Sequence, residues 1–136
     1  MIKEMASWIA THSSFTIGTT LFEGWWPEMQ PDRCSMLSEQ AGGSADYYIK
    51  DREDKQVMIL TRAKNYFEAR ADAKTLFTLL HGAAGLTFGP ILTAYPVYFV
   101  ISIECVNSPQ YLGMDAKNRH MFSTNYTVRF VNAAGS

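Results

Sequence analysis

Three histidines, two cysteines and thirteen acidic residues are the groups of this chain that could do chemistry, and their spacing decides which chemistry is open to them. His12, His81 and His120 stand apart, with no HExxH and no pair at ligand spacing, so a histidine metal site has no local frame. His81 reads as the last residue of a helix, where an imidazolium would suit the dipole and the terminal carbonyls. His120 opens a strand after a basic segment and is expected at a surface or an interface. Cys34 and Cys105 lack CxxC spacing and a nearby histidine. A buried reduced pair is the expectation, with a disulfide or a metal as alternatives. Gly85 to Gly89 (GLTFG) has neither the lysine nor the strand-to-helix setting of a phosphate loop. With no GxSxG elbow, Ser35, Ser38 and Ser44 have no case as nucleophiles. Glu23, Glu28, Glu39 and Glu104 could pair as acids, but only Glu104, on an apolar strand, is expected to be partly buried. A salt bridge or an edge position accounts for it better than a catalytic pKa. No catalytic residue, cofactor or metal ligand is expected, and an enzyme is the weaker reading.

The elements that would position any site follow from periodicity. Ile2, Met5, Ala6 and Ile9 recur at helical spacing, which predicts an N-terminal helix over residues 1–12. Phe15, Ile17, Thr19 and Leu21 alternate as a strand running into Phe22. Residues 23–32 hold two prolines and a glycine and are read as a loop, although it carries Trp25 and Trp26 side by side. Arg33 to Glu39 is a second strand, closed by Gly42-Gly43-Ser44; 46–50 and 56–62 then frame the self-neutralising run Lys50 to Lys55 as a hairpin tip, with Val57, Ile59 and Thr61 on one face. Asn65 caps the clearest helix, with Glu68 as the reciprocal partner of a capping box and an apolar stripe of Ala69, Ala73, Leu76, Phe77 and Leu80. Gly82 ends that helix, and Ala83 to Pro90 is read as a loop. Val97 to Val106, with Pro96 at its start, reads as a central strand buried on both faces. Phe122, Thr124, Tyr126, Val128 and Phe130 alternate as the last strand, after a long loop from Asn107 to His120. The predicted fold class is α+β: a single domain with a mixed, mainly antiparallel sheet, helices packed on one face, and a flexible tail at 132–136.

Composition narrows the partners. A chain of 136 residues with 47% hydrophobic and 18% charged residues can bury a core as one domain without staples. A formal net charge of −1 argues against a grip on a nucleic-acid backbone. Glu4 interrupts the start of any signal peptide, and the longest apolar run, Ala94 to Ile101, is too short to span a bilayer. The expectation is a protein made in a reducing cytoplasm, with no membrane partner.

Two features remain once the core is filled: the Trp25-Trp26-Pro27 loop, and the segment containing Tyr111, Leu112, Met114, Asp115, Lys117 and Arg119. Aromatic residues on loops are common interface anchors, so these eight residues are the candidate contacts, against folded-back cover for the tryptophans and a plain connection for the second segment. The ordered set resembles a known family: a strand ending in Glu39 and Gly-Gly; Thr61-Arg62-Ala63 before a helix with an exit at Leu79 to Gly82; then Pro109, Tyr111, Leu112, Gly113 and Asp115 ahead of Phe122-Ser123-Thr124-Asn125-Tyr126. Over roughly residues 15 to 131 it is similar to the minor capsid, or tail terminator, proteins of long-tailed bacteriophages. The tryptophan pair is not part of that pattern.

The resemblance implies an assembly role. Such proteins form a ring, usually of six, on the last ring of the tail tube, stop its growth and offer a surface to the head connector or stopper, with the DNA passing through the lumen unbound. The protein would then sit in the virion, at the head-proximal end of the tail. Size agrees with six: a domain this long is about 36 Å across, so six touching copies leave a hole of about that width and four leave about 15 Å. Duplex DNA, roughly 20 Å wide, passes only the larger, given a major groove of about 12 Å. A head-completion protein on the portal side is the alternative, and a small-ligand binding domain or hydrolase the third reading.

Overall fold

The strict alternation from Phe122 to Phe130 forms the spine of the molecule, because a strand with one apolar and one polar face must lie between a core and a second surface. The computed structural model describes residues 1–45, 52–89 and 97–132. In chain order it runs α1 (Ile2–Thr11), β1 (Leu21–Glu23), β2 (Cys34–Ala45), β3 (Arg52–Ala63), α2 (Tyr66–Leu80), β4 (Ala84–Phe88), β5 (Tyr98–Cys105), β6 (Gln110–Met114) and β7 (His120–Asn132). The strands make one sheet in the order β1-β2-β3-β7-β5-β4, with β6 pairing β7 beyond the end of β5. Among the described strands only β1 and β2 run parallel. This is the expected α+β class with a mixed, mainly antiparallel sheet.

Both helices pack on the same face. Met5, Ala6 and Ile9 of α1 and Leu76 and Leu80 of α2 join Leu37, Val57, Ile59, Tyr126, Val128 and Phe130 in one buried cluster. A smaller cluster of Ala63, Ala69, Ala73 and Phe122 continues it under the start of α2. The other face, here called the back face, carries Phe22, Cys34 and Met36 under Trp26 and Leu60 at one end.

Several boundaries differ from expectation. The run from Phe15 does not extend as a strand: Thr16 N–H donates to Thr20 Oγ1, and backbone bonds close Thr16 to Leu21 into a turn, leaving three residues of β1. Gly42-Gly43-Ser44 does not close β2 but sits where its pairing with β3 slips register, between Gln40 and Ser44. Arg52 to Lys55 therefore belong to β3 rather than to a charged tip, while the rest of that tip, 50–51, and the expected arm at 46–50 lie outside the described residues. Ala84 to Phe88, read as a loop, is the edge strand β4, and it takes Gly85 at φ +67. β5 is not buried on both faces: Val100 and Ile103 are inside, whereas Phe99, Ile101 and Glu104 are exposed. Pro96 and the tail residues 133–136 lie outside the described residues.

Two end signals of α2 resolve differently. Asn65 Oδ1 accepts from Phe67 N at 2.8 Å and Glu68 N at 3.4 Å, so the cap forms. The Glu68 carboxylate is not the reciprocal half of a box; it lies 3.6 Å from Arg33, which also grips Asp72 through two hydrogen bonds. At the other end Gly82, at φ +79, turns the chain as expected. His81 does not meet the helix carbonyls with an imidazolium. Its Nδ1 accepts from Cys105 N at 3.0 Å, which requires that nitrogen unprotonated, and its ring stacks on Phe77.

Candidate interface site

The loop of residues 24–32 lacks a ladder of its own, so its carbonyls need donors from elsewhere. Two arginines supply them. Arg62, which follows Val57-Met58-Ile59-Leu60-Thr61 in β3, is 1% exposed and donates to Pro27 O and, at 3.0 Å, to Pro31 O. Trp26 covers its guanidinium, with the ring centroid 4.3 Å away. Arg119, 2% exposed, reaches the same loop from the turn between β6 and β7, donating to Met29 O at 3.1 Å and Glu28 O at 2.6 Å.

Asp115 holds that turn in shape. Its Oδ1 accepts from Lys117 N at 2.9 Å and Arg119 N at 3.0 Å, and its Oδ2 accepts from Arg119 Nε at 2.8 Å. Partial burial alone would push this carboxyl up, but the Arg119 N–H, the guanidinium and the Lys117 N–H together hold it below its ordinary value. Asp32 adds a second carboxylate 3.7 Å from Arg119 and is shared with Lys64 at 3.6 Å. Segments some ninety residues apart are thereby fastened into one unit.

The eight candidate contact residues divide. Trp26 is folded back over Arg62, while Trp25 stands out at 64% exposure against the edge of Phe22. Asp115 and Arg119 turn inward and spend their polar groups on the chain itself, so they shape the corner rather than touch a partner. Lys117 projects into solvent. Tyr111 and Met114 lie in β6 opposite Phe122 and His120, on the helix side of the sheet, and Leu112 sits where β6 bulges against β7. Tyr111 packs on Tyr66 and Phe122 and hydrogen-bonds His120 Nδ1 at 2.8 Å. The segment read as a fourteen-residue loop thus contains the five-residue strand β6. Tyr66, exposed Phe67 and Arg62 belong to the site and were missed; a lone arginine inside VMILTRA was the available signal for the last.

Between the two loops, on the back face, lies a pocket of about 430 Å³ floored by Arg62, Leu60 and Met121. A larger hollow of about 750 Å³ lies between the end of α1 and α2. Two of its hydroxyls are spent locally, Ser13 donating to Ile9 O and Thr75 to Ala71 O. Among the described residues no group of three His, Cys, Asp or Glu side chains is placed to hold a metal ion. Cys34 is buried and Cys105 half-buried, and both are free thiols. Glu104 is exposed rather than partly buried and pairs with Arg129 at 3.3 Å. No helix among the described residues is long and apolar enough to cross a membrane.

The search of curated proteins finds no match. The family model described as bacteriophage tail terminator protein matches residues 15–132, which takes in the whole sheet, α2 and both loops of the site and leaves out only α1 among the elements. The chain therefore belongs to the bacteriophage tail terminator protein family and is a structural component of a phage tail.

Proposed function

We propose that copies of this chain close into a ring, six being the expected number, on the last ring of tail-tube subunits, end tube growth there and offer their free side to the head connector. The observation that carries this reading is the corner built by β6 and the turn after it. Tyr111, Leu112 and Met114 are all exposed on a five-residue edge strand. An ordered edge with three exposed apolar side chains is a liability in a free protein and an asset at a contact, since soluble chains blunt such edges with charge. Head-to-tail contacts through this corner would make a closed heterologous ring. One ring side then resembles the next tube ring closely enough to dock, and the other lacks what further stacking needs. DNA crosses the lumen without a specific grip, in keeping with the net charge of −1.

The test is the mass of the protein by light scattering, alone and with tail-tube subunits, followed by imaging of the mixture. Rings, or tubes halted at one end only when this protein is present, are the expected result. A persistent monomer without effect on tube length would remove the reading and favour a portal-side head-completion role.

A further inference from the structure

The pocket between the Trp26 loop and the Asp115–Arg119 turn holds a positive charge that this chain does not balance. Arg62, Arg119 and Lys117 meet Glu28 and Asp115 there, and Asp32, 3.7 Å from Arg119, is shared with Lys64, so that among the described residues four cations face three carboxylates. Asp115 is consumed by Arg119 and by the turn it caps. Among the described residues Arg62 makes no ion pair: it meets two carbonyls, the Trp26 ring and the neighbouring Cys34 thiol, and its buried Nε has no acceptor. A buried cation with an unspent donor is costly unless something else completes it. Lys117 makes no ion pair among the described residues either and stands exposed at the rim.

We infer that this pocket receives a carboxylate carried on a protein segment: an acidic side chain of an adjoining chain in the assembly. The surplus of a single positive charge matches a monoanion, whereas a phosphate group brings nearly two charges. Trp26, Leu60 and Met121 supply apolar walls that suit the methylene stem of a glutamate. At about 430 Å³ the space exceeds a bare carboxylate and falls within the size range of ligand pockets. The carboxylate meets Lys117 at the rim, and a small outward swing of Trp26 opens Arg62 Nε to it. The inference rests on the proposed function for who the adjoining chain is, but not for the chemistry of the pocket.

The experiment is an NMR titration of the full chain with the blocked peptide Ala-Glu-Ala, then with Ala-Gln-Ala and with sodium acetate at matched ionic strength. The Arg62 Nε–H and Trp26 indole N–H signals should shift saturably with the glutamate peptide and not with the glutamine one. Lys117→Gln should weaken binding and Glu28→Gln should tighten it, each by about two- to five-fold, the range of one exposed charge pair. Both side chains are exposed, so neither variant threatens the fold. Equal responses to the two peptides, or variants that move in the same direction, would overturn the pocket. Acetate binding as tightly as the peptide would overturn the protein segment in favour of a free small acid. Peptide binding by a protein that never halts tubes would remove the tail-closing reading and leave the pocket. Halted tubes with no peptide response would do the reverse.

Discussion

At the residue scale the molecule depends on Arg119, because two backbone carbonyls and two carboxylates are satisfied by its one guanidinium. Replacing it with methionine keeps the bulk but strands the Asp115 carboxylate and the carbonyls of Glu28 and Met29. Leaving these acceptors without their donor costs about 1–3 kcal/mol, and thermal unfolding of Arg119→Met should show it. A loop released from its clamp should also raise the solvent exposure of Trp26, visible as a red-shifted fluorescence. Asp115 gives a pH signature of the same pair. Its folded-state pKa lies below the ordinary 3.8, with burial opposing and the Arg119 and Lys117 donors prevailing. A depressed carboxylate contributes stability above its unfolded pKa and loses it as the pH falls through the folded one. The contribution is therefore complete at neutral pH and fades below 3.8. Carbon-detected NMR of the Asp115 carboxyl should place its midpoint below 3.8 in the native chain; an ordinary midpoint would mean the hydrogen bonds are not formed in solution.

At the element scale α2 offers a paired test. Asn65 caps two N–H groups, so Asn65→Ala should cost about 1 kcal/mol in denaturant unfolding. Glu68 completes no box and only joins an exposed pair with Arg33, so Glu68→Ala should cost less than about 0.5 kcal/mol. Equal losses would restore the capping box. The cap and stop of this helix were legible because their chemistry is local: a side chain reaching its own backbone, a glycine at positive φ. β7 was legible because alternation over nine residues has one reading. β4 and β6 were not, since Gly85 and Gly113 are loop residues by local preference, Pro109 stands just ahead of β6, and only a neighbouring strand turns these segments into edges. The interface candidates suffered likewise. Trp25 and Tyr111 were found as aromatic surplus, but that Arg119 faces inward depends on Glu28 and Met29, ninety positions earlier.

At the scale of the whole molecule the decisive separation is between holding the protomer together and holding copies together. The buried cluster under α1 and α2 holds the protomer and does not involve Leu112 or Met114. Both side chains are more than half exposed, so Leu112→Lys with Met114→Lys removes little apolar burial and should alter folding stability by no more than about 0.5 kcal/mol per site. The same pair places two charges on the β6 edge, the device by which natural edge strands refuse new partners. The double variant should unfold at nearly the native temperature, yet neither close into rings nor halt tail tubes at concentrations where the native chain does. Loss of folding together with loss of assembly would show that the edge is part of the core. Tubes still halted at native concentrations would show that the contact lies elsewhere, and the exposed Trp25 on the back face would be the next surface to charge.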